Sequence, residues 1–157
     1  MKKKINRRSF IKNASIPVLG AATFSTFNVH ASTTTELNMV TSWPESFPGI
    51  GLGANRLAQR IESLSNKRIK VNVYSAGKLV PPFGVFDAVS SGTADLYHSA
   101  DFYWGGKNKA YPFFAAVPFG MTAAEFHSWI YSGNGQMLWA ELGSYFTVKL
   151  FFVANTL

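Results

Sequence analysis

The chain has 157 residues, no cysteine, 15% aromatic residues and a formal net charge of +7. The lack of cysteine excludes disulfides, thiol nucleophiles and thiolate metal sites. Six of the fifteen cations (Lys2, Lys3, Lys4, Arg7, Arg8 and Lys12) fall in the first twelve residues with no acid among them, so the remainder sets nine cations against eight acids and carries no basic nucleic-acid surface.

Behind that basic run, Ala14–Val29 is apolar but broken by Ser15, Pro17, Gly20, Thr23, Ser25, Thr26 and Asn28. It is shorter than the roughly 20 apolar residues of a spanning helix. It fits a secretory leader, with a basic region, a short apolar region and small residues at a cleavage point. Val29-His30-Ala31 predicts cleavage between Ala31 and Ser32, making residues 1–31 a signal peptide. The heptad Asn6-Arg7-Arg8-Ser9-Phe10-Ile11-Lys12 resembles the twin-arginine export signal, whose arginines are read by a receptor. Asn6 and Ile11 depart from the usual Ser/Thr and Leu, which leaves the Sec route open. Residues 32–157 suffice for one core and are too few for two ordinary domains.

In the body, Leu37–Thr41 reads as a buried strand, followed by a turn with two prolines, Pro44 and Pro48. Ile50, Ala54, Leu57, Ile61 and Leu64 recur at helical spacing and predict an amphipathic helix. Ile69–Val73 alternates with period two, as a strand does. Pro82 suits the first turn of a second helix whose apolar side is Phe83, Phe86 and Val89, with Gly92 as its stop. Ala94–His98 is a third strand. Thr122-Ala123-Ala124-Glu125 is a capping box, with Met121 and Phe126 placed as a hydrophobic staple. One helix from there ends near Gly133, and another runs from about Asn134 to Gly143. Phe146–Val153 is predicted as a last strand. Strands alternating with helices give an α/β fold with a mainly parallel sheet.

Gly49-Ile50-Gly51-Leu52-Gly53-Ala54 satisfies a dinucleotide-binding pattern. Two prolines separate it from the preceding strand, and residues 69–74 lack the ribose-binding acid, so the match is taken as chance. The glycines are instead expected to let the helix start approach another stretch of backbone. Outside the leader, His98 and His127 have no metal-ligand spacing and read as one interfacial and one surface histidine. Asp87, Asp95, Asp101 and Glu125 are scattered, and no catalytic set assembles around them. The expected ligand place is the crevice beyond the carboxyl ends of the strands, where Trp43, Ser75, Ser99, Tyr103, Trp104 and Asn155 fall.

Three stretches, TSWPES (41–46), VYSAGKLVPPFGVFDAVSSGTADLYHSADFYWGGKNKAYPFFAAVPFGM (73–121) and EFHSWIYSGNGQMLW (125–139), resemble the extracytoplasmic solute-binding subunit of TRAP transporters, of the DctP type that binds 2-oxo acids and related carboxylates. The resemblance implies a periplasmic-binding-protein-like lobe over residues 32–157, the first of two, with the second lobe missing. It implies periplasmic capture of a small 2-oxo or hydroxy acid for a sodium-driven TRAP permease, with no catalysis and no cofactor. A sodium or calcium ion at the ligand site is compatible with it, and the partners are the permease and the twin-arginine export machinery. By position, Tyr103 and Asn155 match ligand-contacting places of the family. Trp43 and Trp104 are placed as walls of the site or as core. Ala154 and Leu157 depart from the glycines that usually flank Asn-Thr. The carboxylate-pairing arginine of the family lies beyond residue 157, so the truncated lobe alone is expected to bind carboxylates weakly and to dissolve poorly. An exported enzyme is the alternative class.

Overall fold

The computed structural model describes residues 34–115 and 117–153. The leader arginines Arg7 and Arg8, the Ala31–Ser32 junction and Asn155 lie outside them. Three parallel strands, β1 (Thr35–Thr41), β2 (Ile69–Tyr74) and β3 (Leu96–His98), form one sheet in the order β2-β1-β3. Thr35 pairs with Ile69 and Val40 with Tyr74 on one side of β1, and Thr41 pairs with His98 on the other. The helices are α1 (Ile50–Leu64), α2 (Val85–Ser90), α3 (Ala123–Ser132) and α4 (Gly135–Ser144), with short 3-10 turns at Asp101–Trp104 and Tyr111–Phe114. No helix among the described residues is long and apolar enough to cross a membrane.

Successive side chains of a strand point to opposite faces, and the central strand uses both. Met39 packs with Ala54 and Ala58 of α1 and with Val71 of β2. Its neighbour Val40 joins the larger core on the other face, with Val85 and Phe86 of α2, Ile130 of α3 and Trp139 of α4. Two-sided burial explains why β1 reads as a mixed apolar run rather than an alternating one.

The larger core is aromatic. Phe86 lies within 5.2–5.8 Å of the rings of Tyr97, Trp104, Tyr111 and Phe146. Phe114 stacks between Trp129 and Trp139, at 5.5 Å from each. Phe86 is fully buried among large neighbours with little freedom to collapse. Replacing it by Ala is expected to cost about 3–5 kcal/mol of stability, read as a lowered urea midpoint with the slope unchanged.

Local chemistry sets the element ends. Gly49 has φ 73°, and a Cβ at Gly51 would stand 2.8 Å from Phe47 Cβ and 3.3 Å from the Pro44 carbonyl. The glycine run therefore serves the close approach of α1 to the proline turn. The capping box of α3 is formed: Glu125 N–H donates to Thr122 Oγ1, and Thr122 N–H donates back to Glu125 Oε2 at 2.8 Å. The Glu125 carboxylate, which accepts from the Thr122 N–H and the Thr122 hydroxyl, titrates below the ordinary range. Met121, assigned to the staple, is exposed.

Two expectations are corrected. The second helix begins at Val85 rather than at Pro82, with Gly84 as its N-cap, and Phe83 stands 63% exposed in the preceding turn. Phe146–Val153 is not assigned as a strand. Its alternation is real in burial, with Val148 and Leu150 buried between exposed Thr147, Lys149 and Phe151. Its carbonyls are bound by side chains instead of a ladder: Ser90 Oγ donates to Phe146 O, and Gln136 Nε2 donates to Leu150 O. A period-two pattern thus reports one buried side, and pairing needs a neighbour that this segment does not meet among the described residues.

Candidate functional site

At the carboxyl ends of the strands the chain turns into polar and aromatic loops. Ser42, after β1, donates to the Pro82 carbonyl at 2.7 Å or exchanges a hydrogen bond with Ser99, also at 2.7 Å. Ala76 N–H, after β2, donates to the Trp43 carbonyl at 2.8 Å. These bonds lash the three strand ends and the Pro82 turn together. None of the partners is close in sequence, so the Ser42–Ser99 pair is invisible in the sequence, and its only signal is that both residues end paired strands.

The expected site residues separate in this frame. Tyr103 is half-buried in the first 3-10 turn, with its ring 4.9 Å from Phe83, 4.3 Å from Phe102 and 6.2 Å from Trp43. Phe83 and Phe102 are both exposed, so these rings form an aromatic edge open to a small molecule. Trp43 is 8% exposed, and its indole N–H donates to His98 Nδ1 at 2.7 Å. Trp104 is 2% exposed and lies in the core against Phe86 and Tyr97. Of the two readings open for these tryptophans, both take the core. Phe83, assigned to a helix side by periodicity, joins Tyr103 instead.

His98 is buried rather than interfacial, and His127 is exposed against Phe152 and Tyr131. Burial pushes the His98 imidazole below its ordinary value, which keeps Nδ1 free to accept from Trp43. Asp101 opens the same turn as Tyr103, is 5% exposed, and accepts from Trp139 Nε1 at 2.5 Å. Burial raises its carboxyl to about 7, against the smaller opposing pull of the Trp139 hydrogen bond.

These two groups bend stability with pH in opposite senses. Asp101 has a folded value above its unfolded one, so its contribution is complete below about pH 4 and is lost as the pH rises to about 7, at about 1.4 kcal/mol per unit. His98 is depressed, so its contribution is present above about pH 6.5 and is lost on acidification. Asp101→Asn is therefore expected to remove the decline between about pH 4 and 7 and leave stability rising with pH, as urea midpoints across that window will read. An unchanged pH profile would contradict the burial argument.

A concavity of about 860 Å³ lies away from the strand ends, lined by Phe113, Phe114, Met121, Phe126, Leu138 and Tyr145 among others. Its lining is mostly apolar and its one charged member is the acid Glu141, so it offers a carboxylate no cationic partner. Among the described residues no arginine stands at the strand ends: Arg56 and Arg60 are exposed on α1, and Arg68 precedes β2.

The family model for the bacterial extracellular solute-binding protein family 7, DctP, matches residues 39–156. The chain is 32% identical over 158 residues to the monocarboxylate 2-oxoacid-binding periplasmic protein of Nostoc sp., covering 97% of this chain and 43% of that protein. A TRAP periplasmic solute binding protein from Colwellia psychrerythraea, with bound calcium and pyruvate, superposes with a TM-score of 0.73 at 34% identity, over 75% of this chain and 36% of that one. Another from Pseudoalteromonas atlantica, with bound sodium and pyruvate, gives 0.70 at 34% identity, over 72% and 34%. The chain therefore spans less than half the length of these relatives. With its parallel sheet and a family match running from β1 past the last helix, this chain belongs to the bacterial extracellular solute-binding protein family 7.

Proposed function

We propose that this chain forms a lobe of a periplasmic receptor that captures a small 2-oxo or hydroxy carboxylate and delivers it to a sodium-driven TRAP permease. The observation that carries the reading is the half-buried Tyr103, set against exposed Phe83 beyond the carboxyl ends of three parallel strands. A tyrosine hydroxyl can donate to a carboxylate, and the rings give an apolar seat for a short carbon chain. Asn155 is the second polar contact in this proposal, through its amide. Trp43 and Trp104 support the wall from behind. Two relatives hold pyruvate with calcium or sodium, which favours a short 2-oxo acid here. A sodium or calcium ion beside the carboxylate is compatible with this reading, as in those two relatives, although among the described residues no group of three or more His, Asp or Glu converges as a cage for it.

A solute-binding family decides between the two classes of function raised by the sequence, in favour of binding and against an exported enzyme. The basic, weakly apolar residues 1–31 supply the route out: a leader bearing Arg7-Arg8, read by the twin-arginine machinery and cut between Ala31 and Ser32. Heating the protein, as its gene encodes it, with pyruvate, lactate and longer 2-oxo acids tests the reading. A ligand that binds only the folded state adds about 2.7 kcal/mol at a hundredfold excess over Kd, seen as a dose-dependent rise in Tm. No rise with any of these acids would overturn the assignment.

A further inference from the structure

Asp101 is the first residue of the 3-10 turn that presents Tyr103. Its carboxyl is buried, and among the described residues the one side-chain donor it meets is the indole of Trp139, on α4. Among the described residues three buried polar atoms have no partner: the hydroxyls of Tyr97 and Tyr111, both close enough to Asp101 to feel its charge, and the indole N–H of Trp104, in the same turn. Tyr97, on β3, is packed against Phe86 and Trp104, and Tyr111, on the second 3-10 turn, against Phe86 and Phe146. Neither hydroxyl forms a hydrogen bond with the carboxyl. A neutral carboxylic acid tolerates this setting. A carboxylate there has one donor where it calls for several, and it gains more only if the turn moves toward water.

We propose that Asp101 is a positioning residue for Tyr103: its neutral carboxyl, tied to Trp139, holds the turn in its ligand-facing arrangement, and ionisation releases the turn, so that capture weakens as the pH rises. This rests on the reading of Tyr103 as a ligand contact. The elevated titration range of Asp101 places the change near neutrality. The other ionisable groups facing it are Tyr97 and Tyr111, which burial and the nearby Asp101 keep neutral throughout that range. His98, on β3, is engaged with Trp43, and Glu141, on α4, is exposed.

The test separates the coupling from the capture. The indole N–H resonance of Trp139 and the ring resonances of Tyr103 are followed by NMR in the ligand-free protein, as its gene encodes it, from about pH 5 to 9. Both are expected to move with a single midpoint near neutrality, and Asp101→Asn, which keeps an acceptor for the indole, abolishes both transitions. Trp139→Phe removes a donor that favours the charged form, so the Tyr103 midpoint moves upward. Tyr103 resonances that stay still while Trp139 titrates, or that titrate unchanged in Asp101→Asn, would overturn the proposal. Calorimetry with pyruvate at the two ends of the range is expected to show at least about tenfold weaker binding at high pH, and none of that difference in Asp101→Asn. Equal affinity at both ends would overturn the link to capture. Joint titration of Trp139 and Tyr103 with no pyruvate binding at any pH would uphold the positioning role and sink the carboxylate reading alone.

Discussion

Tyr103→Phe is expected to weaken carboxylate binding by about 10- to 100-fold and to leave thermal unfolding unchanged. A hydrogen bond to a charged group contributes about 1.5–3 kcal/mol, and each 1.4 kcal/mol is a factor of ten in affinity. The substitution keeps the ring, so the contacts with Phe83 and Phe102 persist. The hydroxyl stands on a half-buried side chain, so its removal leaves no cavity in the core. Phe83→Ala is the companion change. Phe83 is exposed, and losing it strips one wall from the Tyr103 ring with little effect on the fold. Titration calorimetry of the two variants against the parent reads both effects. Unchanged affinity in Tyr103→Phe would place the ligand elsewhere.

The second large effect is on export. Replacing Arg7 and Arg8 together by Lys is expected to leave unprocessed precursor in the cytoplasm, because the twin-arginine receptor reads guanidinium groups and a lysine keeps only the charge. The weak apolarity of Ala14–Val29, with Pro17 and Gly20 inside it, suits that receptor better than a strongly apolar Sec leader. Fractionation followed by immunoblotting distinguishes precursor from the form cut after Ala31. Normal processing of the double-lysine chain would assign export to Sec.

The parts of the fold that were legible in the sequence are those set by local chemistry. α1 runs from Ile50 to Leu64, as its helical spacing predicts, and the Thr122–Glu125 capping box forms with both reciprocal bonds. β1, β2 and β3 emerge within two residues of the predicted strands. What failed depended on neighbours distant in the chain. Phe146–Val153 carries a strand-like pattern, yet its carbonyls are bound by Ser90 and Gln136. Pro82 suits a helix start, but its carbonyl accepts from Ser42 across the strand ends, and the helix waits until Val85. The strand-end position of Tyr103 was legible from the α/β pattern, but its packing against Phe83 was not, because Phe83 reads as part of a helix side. The burial of Asp101 was not legible at all, because an acid between Ala100 and Phe102 carries no local sign of the Trp139 indole 38 residues away.

Capture of a carboxylate at the strand ends is tested most directly by a crystal structure of the protein grown with pyruvate. The carboxylate is expected within about 3 Å of the Tyr103 hydroxyl, with the methyl group against the exposed Phe83 ring. Pyruvate found instead among Phe113, Met121 and Tyr145, or absent from the strand ends at saturating concentration, would contradict the account.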